Sequence, residues 1–274
     1  MSTTKQSAAT LYFSVLLAAS AAVSTAHAGA REEGRLLTAT EVLEEVQAMP
    51  DQQIPDALLS RAYGIAVIPD VTKVALVFGG RHGNGLLVVR DKLNTAWSNP
   101  VFVSLTGGSW GLQAGAQSSD IVLVLTTKTG IEGIAGGKLT LGADVSVATG
   151  PVGRQGSAAT DMNFNAEIYS YARTRGLFGG IALDGSHIAI DRSANASFYG
   201  KSGVTATEIF SGQAPSPPAT AQRFLDRLAQ LTHTPARSSP APQADTPATS
   251  AVQAPNAAAP STEPPRTYPL EEQK

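Results

Sequence analysis

Gly64-Ile65-Ala66-Val67-Ile68-Pro69-Asp70-Val71-Thr72-Lys73-Val74-Ala75-Leu76-Val77-Phe78-Gly79-Gly80 lies near the start of a stretch, Ala62 to Gly200, in which short apolar segments are punctuated by Gly, Pro, Asn and Asp. That punctuation reads as β-strands paired around a core. The candidate strands are Gly64–Ile68, Lys73–Phe78, Gly85–Arg90, Val101–Leu105, Trp110–Ala116 and Asp120–Leu125. After one expected helical turn at Thr129–Ala135 they resume as Lys138–Ala148, Asn163–Ala172 and Leu177–Ile190. No helical crossover separates neighbours, so antiparallel hairpins and meanders are expected. Gly111, Gly115, Gly142, Gly179 and Gly180 occupy strand interiors, where glycine marks a bulge, a sharp bend or a close backbone approach. The expected fold class is α+β, mainly antiparallel β: a strongly coiled glycine-rich sheet or barrel-like β core with a few flanking helices.

Helix signals lie outside that stretch. Thr38-Ala39-Thr40-Glu41 has capping-box spacing and opens an expected helix over Ala39–Met49, and Pro55 opens a second, which Gly64 ends. Val204–Phe210 reads as a short helix, and Thr220–Leu231 as a longer one with Phe224, Leu225, Leu228 and Leu231 on one face. Beyond Thr234 the chain turns to Pro, Ala, Ser and Thr, a composition that cannot offset its ordering entropy by burial.

Composition removes several function classes. The chain of 274 residues has no cysteine, which excludes disulfides, thiolate metal sites and thiol catalysis. Its net charge is −2, unevenly spread: residues 29–60 hold two basic and seven acidic residues, and residues 61–201 hold twelve basic and nine acidic. The strand-rich part is therefore mildly cationic, well short of a nucleic-acid binder. Lys5, the apolar run Leu11–Val23 and the triplet Ala26-His27-Ala28 follow the order of a secretory signal peptide, with cleavage expected before Gly29.

Chemistry-bearing motifs are few. Gly107-Gly108-Ser109-Trp110-Gly111 matches the G-x-S-x-G nucleophile elbow, but Leu112–Ala116 reads as a strand where the motif needs a helix. Its potential partners His187 and His233 are scattered, so a hydrolase is the third reading here. Gly79-Gly80-Arg81-His82-Gly83-Asn84-Gly85 could cradle an anion, while its Asn-Gly pair reads as an ordinary hairpin turn. No His, Asp or Glu set has metal-ligand spacing, and no catalytic residue, metal or cofactor is expected. Val74–Gly80 and Arg175–Gly180 look alike, a degenerate repeat that chance in a glycine-rich chain explains equally well.

A run of ordered motifs then narrows the reading. Ala62-Tyr63-Gly64-Ile65-Ala66-Val67-Ile68-Pro69, Phe78-Gly79-Gly80-Arg81-x-Gly83-x-Gly85, Trp97-Ser98-x-Pro100 and Ser109-x-Gly111-x-Gln113-x-Gly115-Ala116 come first. They are followed by Asp120–Leu125, Gly150-Pro151-x-Gly153-Arg154, Ser170-Tyr171-x-Arg173-x-Arg175-Gly176-Leu177-Phe178-x-Gly180 and Phe198-Tyr199-Gly200. Together these resemble a SYLF domain over about residues 55–212. The resemblance implies a lipid-binding module with a preference for phosphoinositides and other anionic lipids, which also binds actin in eukaryotic actin-patch proteins, and it implies no catalysis. Bacterial members are typically exported and meet envelope lipid, so actin is not an expected partner in that setting.

The expected organisation is a signal peptide over 1–28, a SYLF-like domain over 29–212 with its core at 55–212, a C-terminal helix at 213–232 and a disordered Pro/Ala-rich tail at 233–274. The expected partner is a lipid or membrane surface in the periplasm or outside the cell, with no nucleic acid. The alternative is a structural protein tethering envelope components through its tail. Eukaryotic relatives use an N-terminal amphipathic segment for membrane contact, but Arg31–Asp56 is acidic here, so contact should fall to the strand region. The residues expected there are Arg81, His82, Arg173 and Arg175 for head groups, beside glycine-rich turns, and Trp110 at an apolar entrance.

Overall fold

The computed structural model describes residues 29–46, 48, 53–75, 78–90, 96–110, 115–152, 165–174 and 177–234. The expected signal peptide, Gly111, Arg175 and the tail beyond Thr234 lie outside them. The chain opens with α1 (residues 29–46) and α2 (Asp56–Ser60), followed by four long strands: β1 (Gly64–Ala75), β2 (Phe78–Val89), β3 (Val101–Trp110) and β4 (Gly115–Leu125). Next come α3 (Lys128–Ala135), β5 (Lys138–Thr140), β6 (Val147–Thr149), β7 (Ile168–Thr174), β8 (Leu177–Gly180) and β9 (Ser186–Ile190). Three helices close the domain: α4 (Arg192–Tyr199), α5 (Ala206–Phe210) and α6 (Ala219–Leu231). The strands form one sheet in the order β5-β9-β3-β2-β1-β4-β7-β6, with β8 on β7. The sheet is curled into a half-barrel, mostly antiparallel, so the α+β expectation holds. β6 departs from it by running parallel to β7.

Two expected strands, Gly64–Ile68 and Lys73–Phe78, are parts of one pairing system rather than separate segments. β1 runs through the first and on to Ala75, with a register shift between Ile68 and Val71 against β4 and between Val67 and Thr72 against β2, while Phe78, the expected end of the second, belongs to β2. Pro69 cannot donate to the ladder, and Asp70 takes φ 52. The Asp70 N–H donates instead to Asp120 Oδ1 at 3.0 Å, so the chain bulges and then pairs again. The expected turn at Asn84-Gly85 is likewise absent, for both residues stand within β2 opposite Ser104 and Val103. Gly85 is needed for a different reason. A Cβ there would lie 2.2 Å from the Val67 carbonyl oxygen and 2.6 Å from Ile68 Cα, because β2 crosses the bulge at close range.

The expected helix Ala39–Met49 is also redrawn. α1 is already helical at Gly29, the first described residue, and Thr38 lies inside it, its hydroxyl donating to Gly34 O at 3.2 Å rather than capping. The stripe Leu36, Ala39, Val42, Leu43 and Val46 is buried along one side, and that continuous apolar face carries the helix past the expected start. α4 was unexpected, since its Phe198-Tyr199 end reads as strand. Asp191 caps it by accepting from Ala194 N–H at 3.0 Å, and Gly200 ends it at φ 61.

Strand alternation divides the core between two faces. Val67, Leu86 and Phe102 share a row, and Phe198 of α4 meets Phe102 edge-on at 5.0 Å. Asn195 of α4 accepts from Phe102 N–H at 2.9 Å and donates to Phe102 O at 3.0 Å, satisfying β3 where β9 does not pair with it. On the opposite face Gly64 and Leu125 pair, and α3 lies on them: a Cβ at Gly64 would touch Ile131 at 3.4 Å. Among the described residues no helix is long and apolar enough to cross a membrane.

Candidate functional site

Past the bulge, β1 to β4 extend as a four-stranded arm. Thr72, Lys73, Val74, His82, Thr106, Gly108 and residues 115–118 are exposed there. An open cleft of about 590 Å³ lies between this arm and α1, lined by Arg35 and Thr38 from α1, Thr72 and Val74 from β1, and residues 80–84 of β2. His82 stands in a lateral row with Thr72, Thr106 and, across β9, His187. Its Nε2 is 3.3 Å from Asn84 Nδ2, and His187 Nδ1 is 3.0 Å from the Thr140 hydroxyl. Arg35 pairs with Glu32 at 3.3 Å and Asp191 at 3.6 Å, so its charge is already shared.

Arg81 alternates to the other side of β2. Lys73 sits directly opposite it on β1, and two like charges facing each other across a ladder repel. Arg81 Nη1 donates to Ala182 O at 3.2 Å, while its Nε is buried with no partner. Burial lowers the guanidinium pKa from its ordinary value, a sign that its charge is incompletely solvated. The fully buried Ser186 hydroxyl also has no partner. A Cβ at Gly107 would lie 2.6 Å from Ser186 Oγ and 3.2 Å from Arg81 Cγ, so glycine there lets the two side chains approach each other. Lys73, Arg81 and Ser186 thus bring two cations and a hydroxyl to one side of the arm, a donor set suited to an oxyanion.

The other expected residues fare differently. Arg173 on β7 donates from Nε at 2.9 Å and Nη2 at 2.5 Å to Asp120 Oδ2, and it also pairs with Glu45 of α1. Its charge is committed to fastening α1 to the sheet. Trp110 stands opposite Phe78 at the far end of β3, and Arg175 is outside the described residues. Sequence reasoning missed Lys73 and Ser186. Lys73 was legible in principle, since a β1–β2 register that pairs Ala75 with Gly79 sets it opposite Arg81.

No catalytic set assembles from the motif residues. Ser109 lies one residue from the end of β3, opposite Gly79, His187 is bonded to Thr140, and His233 stands just beyond α6. Among the described residues no group of three or more His, Asp or Glu could hold a metal ion. Asn195-Ala196-Ser197 has the spelling of a glycosylation site, but the Asn195 amide is fully buried and bonded to β3.

Residues 106–231 match the Ysc84 family, described as Las17-binding protein actin regulator. The chain is 38% identical over 177 residues to LAS seventeen-binding protein 3 of Saccharomyces cerevisiae, covering 64% of this chain and 38% of that protein. It is 37% identical over 172 residues to Protein YSC84 of the same yeast, covering 62% of this chain and 36% of that protein. The SH3 domain-containing YSC84-like protein 1 of Homo sapiens is 33% identical over 184 residues, covering 67% of this chain and 53% of that protein. The chain therefore spans about a third to a half of the length of these relatives. From β3 through α6 it carries a domain of the Ysc84, or SYLF, family.

Proposed function

We propose that this domain is a non-catalytic interaction module that docks on anionic lipid, receiving a head-group phosphate between Lys73 and Arg81. The supporting observation is the Lys73–Arg81 pair itself: two facing cations, one with a buried unpartnered N–H, beside the unpartnered Ser186 hydroxyl. An anion there relieves the repulsion and satisfies both orphan groups. The signal-peptide pattern over residues 1–28 supports export to a bacterial envelope, where N-terminal sequencing of the protein from its host should read from Gly29.

Flotation with neutral and anionic vesicles at low and high salt tests the docking. Recovery should require anionic lipid and fall as salt screens the charges. Replacing both cations, Lys73→Gln with Arg81→Gln, should weaken binding roughly thirtyfold, at about 1 kcal/mol per charge near the surface. Equally negligible recovery in every vesicle type would remove the reading.

The relatives' names favour a second reading, a protein-binding role, in which the tail over 233–274 tethers a partner. Truncation after Thr234 separates the two, since lipid docking survives it and tethering does not. Co-pelleting with filamentous actin is the corresponding check on an actin partner.

A further inference from the structure

A second cavity, of about 190 Å³, lies where α1, α2 and α6 meet the sheet. Its walls include Leu43 and Val46 of α1, Leu59 of α2, Ile65 of β1, Val122 of β4 and Leu228 of α6, all buried. The polar lining residues are Gln53, half-buried, and Asp56 and His233, both exposed, so they form the mouth. Interiors are close-packed and hold few voids larger than a water, so an apolar-walled recess of this size, open to solvent at Gln53, Asp56 and His233, has room for a ligand. Water is a poor one. It needs two to four polar partners, which the mouth residues Gln53, Asp56 and His233 offer but the buried walls of Leu43, Val46, Ile65, Val122 and Leu228 do not, and apolar space of this kind takes up small apolar molecules.

Shape and chemistry point to an alkyl chain. One water occupies ~30 Å³ in the liquid and a methylene takes about the same, so the space suits roughly six to eight carbons. Asp56 at the mouth disfavours a carboxylate or phosphate head beside it. We propose that this cavity binds a single alkyl chain of an amphiphile carrying no net negative charge, with the polar head at the mouth beside Gln53, Asp56 and His233. The proposal does not depend on the head-group reading above, because it uses none of Lys73, Arg81 or Ser186.

A series of 1-alkanols from ethanol to decanol, titrated into the full chain and read by methyl NMR of Ile65 and Leu228, tests it. Binding should be saturable and tighten about fourfold per added methylene, then level off at roughly six to eight carbons when the space is full. At ten times its Kd, 1-octanol should raise Tm by about 3–5 °C. Val46→Phe fills the cavity and should abolish both responses. If that variant does not fold, Leu231→Trp, at a half-buried lining position, obstructs the mouth instead.

Octanol that leaves the Ile65 and Leu228 methyls unmoved overturns the proposal. So does affinity that keeps climbing through decanol, or a Tm rise that persists in the obstructed variants. Phosphatidylcholine vesicles form the second arm. Movement of the same methyls with vesicles identifies a membrane lipid tail as the source of the chain, and movement with free alkanol alone identifies a monomeric amphiphile.

Discussion

The near and far halves of β1 to β4 are the same four strands in one hydrogen-bonded ladder, yet they are held by different means. In the near half, Ile65 to Ile68, Leu86 to Val88, Val101 to Val103 and Ile121 to Leu125 are at most 1% exposed, covered on both faces. In the far half, beyond the bulge at Pro69-Asp70, Thr72, Val74, His82, Thr106 and residues 115–118 are exposed. Backbone hydrogen bonds contribute only about 1 kcal/mol net each, since the unfolded chain bonds water instead. Burial separates the two halves, and it leaves the far half free to carry Lys73, Arg81 and His82, which an apolar core could not accommodate. One sheet serves as both foundation and display surface.

Core truncation should break that comparison most sharply. Phe102→Ala in the near half should cost about 3–5 kcal/mol in urea unfolding, whereas Val74→Ala in the far half should stay within about 0.5 kcal/mol. Equal losses would mean that the far half is itself part of the core. The boundary between the halves can be probed with two glycines. Gly85→Ala places a Cβ 2.2 Å from the Val67 carbonyl oxygen and should cost about 2–3 kcal/mol, while Gly108→Ala, which meets nothing within 4 Å, should be near neutral.

Asn195→Ala strips the ladder mimic from Phe102 and leaves its N–H unpaired in the near half, while its C=O keeps the Asp191 N–H at 3.0 Å. The expected loss is about 2 kcal/mol, with faster hydrogen exchange at the Phe102 amide. The smallest effect concerns α1, which lines the cleft of the far half and packs on the near half. Burial pushes the Glu32 carboxyl above its ordinary range, against the opposing pull of Arg35 and Arg31 and with a further push from Asp191. A carboxyl that holds its proton more tightly when folded loses stability as pH rises through its folded pKa. Thermal melts should therefore show less decline from mildly acidic to neutral pH in Glu32→Gln than in the unaltered chain.

The sequence was legible where a signal was local and strong. The apolar runs at Asp120–Leu125 and Val101–Leu105 and the face of α6 appear where the periodicity puts them. Thr-Ala-Thr-Glu shows how far a local signal reaches, because it occurs twice. At 205–208 it forms a true capping box, with Thr205 Oγ1 accepting from Glu208 N–H at 3.2 Å and Glu208 Oε2 accepting from Thr205 N–H at 2.8 Å. At 38–41 the same four residues lie inside α1, because Leu36 upstream is fully buried and extends the apolar stripe past them. The site was half legible: Arg81 was singled out, but its partners required the register of β1 on β2.

By itself, the chain determined its strand content, the absence of thiol chemistry, the family signature and the apolar face of its last helix, all of which follow from neighbours in sequence. Only the tertiary structure decided that Asn84-Gly85 is strand rather than turn, that Arg173 is neutralised by Asp120 and Glu45, and that Lys73 faces Arg81. Each of those outcomes depends on which distant backbone comes within a few ångströms, and close packing fixes that only once the whole sheet has coiled.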